Sequence, residues 1–337
     1  MEPLKIALLG AGRIGQVHAN TIATRVPSAQ LVAVADVYEP AAQACAAKYR
    51  IPTASANPLD VINDPTINAV LICTTTDTHV TLIEAAAKAG KHIFCEKPVA
   101  MTLPEVDRAL NATAKAGVQL QLGFNRRFDA NYARVRQAIT SGEIGDLHIL
   151  HIISRDPAPP PLAYIKVSGG LFVDMAIHDF DMARFLTGSE VDEVYVQADV
   201  RVDPAIGEAG DVDTAVTLLR FANGVIGTID NSRKAAYGYD QRAEAFGSGG
   251  AIHINNNYPN SAVLSNAASV QRDLPLNFFM QRYTEAYASE IEQFVHAIVN
   301  NTPVPVNGHD GKMAFVIALA AKKSLQEKRP VKVSEIQ

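Results

Sequence analysis

Lys5-Ile6-Ala7-Leu8-Leu9-Gly10-Ala11-Gly12-Arg13-Ile14-Gly15 carries the reading that decides the fold. An apolar run from Leu4 to Gly10 is a strand buried on both faces, and it passes directly into GxGxxG, which opens a helix over Gly15–Thr24. A second strand follows at Leu31–Ala35, and Asp36 stands at its end, 21 residues beyond Gly15. Strand, glycine turn, helix, strand and acid in this order form a dinucleotide-binding unit. The three glycines do different physical work. Gly10 permits the tight turn, Gly12 lets a pyrophosphate reach the backbone, and Gly15 allows close helix–strand packing. Phosphates would rest on the unpaired amides at the start of the helix, near Arg13 and Ile14.

Working outward, the alternation continues. A helix through Ala41–Tyr49 is followed by strands at Ala69–Cys73, His92–Cys95 and Val118–Leu122, separated by helices at His79–Ala89 and Leu103–Ala116. Strands apolar on both faces and separated by helices predict a parallel sheet covered on two sides, because right-handed crossovers lay helices over it. The N-terminal domain, residues 1–123, is therefore a doubly wound α/β sheet.

After Asn125 the pattern changes. Leu147–Ile153, Val191–Val202, Thr214–Phe221, Val225–Ile229, Arg242–Phe246 and Ala251–Ile254 are strand-like, and most follow one another without a helix. Asn223-Gly224 predicts a tight primed hairpin turn between two of them. Residues 124–337 are thus expected to form an α+β domain around a mostly antiparallel open sheet, with helices at Phe172–Leu186 and Tyr283–Val299. A last helix, Lys312–Gln326, suits either domain, and Pro157 with Pro159–Pro161 makes a stiff loop.

Composition narrows the functional classes. The 337 residues exceed one ordinary core, and 48% hydrophobic against 19% charged residues suits a folded two-domain protein. A net charge of −5 offers no basic field for a polyanion, so a small molecule rather than nucleic acid is the expected partner. Cys45, Cys73 and Cys95 form no CxxC pair and two lie in buried-strand runs, which fits reduced core thiols in a cytoplasmic protein. No export signal and no apolar stretch of membrane-spanning length is present, so no membrane partner is expected.

Asp36 favours NAD over NADP. Its carboxylate can accept from both ribose hydroxyls, whereas a 2′-phosphate at about 4 Å would be repelled by about 4 kcal/mol per charge pair at an effective dielectric near 20. Arg13 is the one nearby cation that could compensate. For the chemistry, Cys95-Glu96-Lys97-Pro98 puts an ammonium at the carboxyl edge of the sheet, where ligands of such folds bind. Lys97 could donate to a substrate hydroxyl; its bland alternative is a solvated surface lysine. In Gly169-Gly170-Leu171-Phe172-Val173-Asp174-Met175-Ala176-Ile177-His178, Asp174 and His178 are four apart and would share a helical face. Alcohol oxidation needs a proton acceptor, and histidine is the side chain poised near neutral pH. The alternatives are a carboxylate-capped packing histidine, or a cation held by Asp174, His178 and Asp181. No cysteine or second histidine completes a usual zinc set, so no metal is expected.

Taken together, the chain resembles the glucose-fructose oxidoreductase, inositol dehydrogenase and MocA-like family. The resemblance rests on the N-terminal GxGxxG, Thr74 through His79, Glu96-Lys97-Pro98, Gly123 through Phe128, and the Gly-Gly-x-x-x-Asp-x-x-x-His block ending at His178. It implies a catalytic set of Lys97, Asp174 and His178, with Thr74, Thr75, His79 and Glu96 joining the glycine loop at the cofactor. Ser154 through Pro157, Ile165 through Gly170 and Ile177 through Asp181 are most similar to the inositol 2-dehydrogenase branch. That similarity implies oxidation of myo-inositol to 2-keto-myo-inositol by NAD, with Arg127, Asp179 and Tyr283 lining the polyol pocket, and a homotetramer formed through the second sheet. The competing expectations are another sugar or cyclitol dehydrogenase acting on scyllo-inositol, glucose or xylose, and a non-catalytic NAD-binding regulator.

Overall fold

The computed structural model describes residues 2–336. The chain separates into two compact units, residues 1–128 with 285–313, and residues 129–284 with 314–337.

In the first unit, β1 (Leu4–Leu9), β2 (Ala29–Ala35), β3 (Thr53–Ser55), β4 (Ala69–Ile72), β5 (His92–Cys95) and β6 (Leu120–Leu122) form one sheet in the order β3-β2-β1-β4-β5-β6. All pairings are parallel. The order reverses between β1 and β4, which places the crevice of a doubly wound fold beside the glycine loop. Thr53–Ser55 is too short and polar to stand out in the sequence, yet its edge position explains that: it pairs on one side only.

The core of this unit packs Ile6, Leu8, Val34, Leu71 and Phe94 against Ile291, Phe294, Val295 and Val304. Those last residues come from the helix Thr284–Val299 and the turn after it, a stretch that chain order alone assigns to the second domain. A strand buried on both faces needs helices on both, and this late segment supplies part of one layer.

In the second unit, β7 (Leu147–Arg155), β8 (Val191–Asp199), β9 (Thr214–Phe221), β10 (Ile226–Ser232), β11 (Asp240–Gly247) and β12 (Gly250–Ile254) join a larger sheet. With β13 (Val263–Ser265) and β14 (Val270–Arg272) forming a separate hairpin, β15 (Val331–Lys332) completes the order β12-β11-β7-β10-β9-β8-β15. Only β7 and β10 pair in parallel; the other neighbours are antiparallel. Burial alternates strictly along β9, the mark of a sheet with one covered face. Helices Ala130–Thr140 and Ile177–Thr187 lie against that face. The opposite face exposes Val216, Leu218, Ile226 and Phe246.

Three local expectations change. The hairpin at Asn223-Gly224 is a three-residue loop: Gly224 alone has positive φ (88°), and Phe221 N donates to Val225 O at 3.0 Å. That is a type I turn followed by a left-handed glycine, not the primed two-residue turn. The helix expected over Phe172–Leu186 is divided into a π turn, Leu171–Met175, and an α-helix, Ile177–Thr187. Ala176 N reaches Leu171 O at 2.9 Å, an i→i+5 bond that inserts one residue, so regular-helix spacing does not set how Asp174 and His178 relate. Lastly, the final helix runs over Gly308–Glu327, with residues 308–313 in the first unit and the remainder in the second.

Candidate active site

The glycine loop can be tested by asking what a Cβ would meet. At Gly10, where φ is +96°, it would lie 2.6 Å from Cys73 O, and at Gly15 only 2.0 Å from Gly10 O. Both positions are closed to any side chain. At Gly12 a Cβ would meet nothing within 4 Å. Two glycines therefore serve the packing of the turn, and the third leaves an open approach to the backbone, as a bound pyrophosphate needs. Gly12 is also the N-cap of the helix Arg13–Arg25 and offers no capping side chain, so the helix presents its amides to a ligand. Arg13 is exposed and Ile14 half-buried.

Asp36 stands where the sequence places it. Its Oδ2 accepts from Ala11 N at 2.7 Å and its Oδ1 from Tyr38 N at 2.9 Å. Two amides occupy about half of a carboxylate's acceptor capacity and lock its orientation, leaving one lone pair per oxygen for two ribose hydroxyls. The flanking Val37 and Tyr38 are exposed and bring no positive charge.

The carboxyl ends of β4 and β5 are tied together by His79. Its Nδ1 is 2.9 Å from Pro98 O and its Nε2 3.2 Å from Thr74 O. Burial holds the imidazole below its ordinary pKa, and because both partners are carbonyl oxygens that only accept, the ring is the donor in this tie. The turn carrying Lys97 is thereby anchored to the helix Thr76–Lys88. Thr74 Oγ1 and Thr78 Oγ1 are 2.6 Å apart at the start of that helix, with Thr75 as its exposed N-cap.

Behind Lys97 lies a polar cluster that no spacing in the sequence assembles. Glu96 Oε1 is 2.7 Å from His18 Nε2, and His18 is buried from the glycine-loop helix, edge-on to Phe94 and Tyr287. Gln121 donates to the backbone carbonyl of Glu290 at 3.0 Å. Glu290 is fully buried, and desolvation together with the charge of Glu96 raises its carboxyl well above the usual range. Burial therefore favours its protonated, neutral form. A side chain at Gly123 would lie 2.8 Å from Glu96 Oε2, so that glycine makes room for the cluster.

Lys97, half-buried, and Arg127 belong to the first unit, where Arg127 pairs with Asp310 at 3.0 Å. Asp174, His178, Asp179 and Tyr283 belong to the second. Asp174 Oδ1 accepts from Tyr164 Oη at 3.0 Å and its Oδ2 is 3.2 Å from Arg233 Nη1. His178 is half-buried in the first turn of its helix. Asp179 is fully buried and accepts from Asn231 Nδ2 at 2.8 Å. Tyr283 is equally buried, edge-on to Tyr239 at 6.1 Å between centroids. Tyr164, Asp211 and Arg233 escape a sequence reading, since no spacing joins them to Asp174. Among the described residues no group of three His, Cys, Asp or Glu side chains is arranged to hold a metal.

Residues 4–124 match the oxidoreductase family with an NAD-binding Rossmann fold, and residues 132–253 match the GFO/IDH/MocA C-terminal domain. The chain belongs to the GFO/IDH/MocA family. It is similar to a myo-inositol 2-dehydrogenase from Thermotoga maritima, 48% identical over 99% of each chain. It is also similar to an inositol 2-dehydrogenase from Rhizobium meliloti, 46% identical over 98% of this chain and 99% of that one. Among solved structures, the scyllo-inositol dehydrogenase from Lactobacillus casei with NAD(H) and scyllo-inositol superposes with a TM-score of 0.92. That comparison has 30% identity and covers 99% of this chain and all of the other. For this GFO/IDH/MocA member NAD is the cofactor, and the open backbone at Gly12 and the fixed carboxylate of Asp36 fit it.

Proposed function

We propose that the protein oxidises myo-inositol to 2-keto-myo-inositol, with His178 as general base, Lys97 on the reacting hydroxyl and Asp174 orienting both. The observation that carries the proposal is relatedness over 99% and 98% of the chain, at 48% and 46% identity, to proteins named as inositol 2-dehydrogenases. The residue types support it. Converting a secondary alcohol to a ketone removes a hydride from carbon and a proton from oxygen, and NAD, when bound, supplies the hydride acceptor. His178 takes the hydroxyl proton as the C=O bond forms. The Lys97 ammonium donates to the same oxygen and offsets the negative charge that develops there. Asp174 fixes the imidazole's orientation and favours its charged form. Arg127, Asp179 and Tyr283 are assigned to the polyol side of the site.

A homotetramer in the cytoplasm belongs to the same reading. It is supported by the row of Val216, Leu218, Ile226 and Phe246 on the open face of the second sheet, and by three free, buried cysteines. No helix among the described residues is long and apolar enough to cross a membrane.

A panel of cyclitols and pyranoses with NAD, followed by NADH absorbance, tests the assignment. The highest kcat/KM is expected for myo-inositol. A pyranose preferred over every inositol would end it. The L. casei relative keeps scyllo-inositol as the second reading, and stereochemistry decides between the two, because a misplaced hydroxyl leaves buried partners unmatched.

A further inference from the structure

Arg233 is the largest fully buried side chain among the described residues, at 1% exposure, and it sits immediately after β10. Its Nη1 is 3.2 Å from Asp174 Oδ2 and its Nη2 3.7 Å from Asp211 Oδ2. Two of its donors, Nε and Nη2, meet no hydrogen-bond acceptor in the protein. Burying a guanidinium so incompletely matched contributes little stability and can reduce it. Its contribution lies elsewhere.

Both carboxylates it faces are tied to the turn that carries Asp174. Asp211 Oδ1 and Oδ2 each lie 3.0 Å from Leu171 N, the first residue of the π turn Leu171–Met175. A Cβ on the preceding Gly170 would lie 2.5 Å from Asp211 Oδ1, so the close approach requires glycine. The backbone of Arg233 is itself pinned, its N donating to Asp213 O at 2.8 Å. Asp174 is thus held at both oxygens, by Tyr164 at Oδ1 and by a fixed cation at Oδ2.

We propose that Arg233 is a positioning residue for the oxidation, with Asp211 as its anchor: it fixes the carboxylate of Asp174 in place for the chemistry at His178. The inference rests on the assignment of Asp174 to the catalytic set. A charge held in a buried, pre-set geometry needs no reorganisation during reaction, so loosening it is felt in turnover before binding.

The test is a mutant cycle of Arg233→Met and Asp174→Asn, with Arg233→Lys beside them, measuring kcat, both KM values and the thermal midpoint. Arg233→Met should lower kcat about 10- to 100-fold while KM for NAD stays within about twofold. In the Asp174→Asn background the same change should add less than about threefold. Arg233→Lys keeps the charge but cannot span two carboxylates, so its kcat should fall between wild type and Met. If Arg233→Met does not fold, the Lys variant carries the cycle. Equal multiplicative losses in both backgrounds, or a kcat for Arg233→Met within about twofold of wild type, overturn the proposal. Unchanged turnover in Asp174→Asn alone overturns it by a different route, because then the catalytic assignment of Asp174 has failed first.

Discussion

The glycine loop of the first unit and the Asp174–His178 segment of the second are built on different principles. The loop presents backbone: amides at a helix start, an open Cα at Gly12, and one carboxylate held by two more amides. The segment presents side chains held by other side chains, on a turn that departs from regular helix. A site made of backbone is specified by local geometry and tolerates exchange of the surrounding residues. A site made of side chains depends on each of them.

The largest effect that could break this contrast lies at His178. His178→Ala should lower turnover by about two to four orders of magnitude while NAD binding, measured by fluorescence titration, is kept. Near-normal turnover at neutral pH would remove it from the base role. The next comparison is within the loop. Gly15→Ala should cost about 2–4 kcal/mol in thermal or denaturant unfolding, because its Cβ would meet Gly10 O at 2.0 Å. Gly12→Ala should leave unfolding unchanged and weaken NAD about tenfold, since only the ligand meets the new methyl. If both variants behaved alike, the division between packing and binding glycines would fall.

What is legible in the sequence follows the same line. The strand, glycine turn and Asp36 can be read because each demand is met within a few residues of the chain. The division of the Asp174 helix cannot, because the turn is held by a distant partner: the Asp211 carboxylate accepts from Leu171 N from far along the sequence. His18, Gln121 and Glu290 are invisible for the same reason: they come from three distant elements, and only the packed first unit brings them around Glu96. The second sheet is legible as a set of strands, since alternation in β9 is local, but the parallel pairing of β7 with β10 is not.

Two smaller effects sharpen the picture. Asp36→Ser should lower kcat/KM for NAD about tenfold and raise the rate with NADP, as the loss of one negative charge removes the repulsion of a 2′-phosphate. No gain with NADP would mean that another group sets the preference. Glu290 gives the smallest change, and its sign is fixed by linkage. Its carboxyl is raised in the folded protein, so the native state holds a proton that the unfolded chain releases above about pH 4.3. Its contribution is fully present below that pH and is lost as pH rises toward the folded value. Glu290→Gln should therefore melt higher than wild type at pH 8, with the gap closing toward pH 5. A gap independent of pH would show that Glu290 carries no such proton.

Residues 285–313 fold with residues 1–128, and Ile291, Phe294 and Val304 complete the core beneath β1 and β4. On a ribosome, the nucleotide-binding half must therefore wait, its hydrophobic floor unfinished, until the segment 285–313 has emerged. Neither half corresponds to a single uninterrupted stretch of gene, so simple truncation at residue 128 would yield an exposed apolar surface rather than a smaller working module.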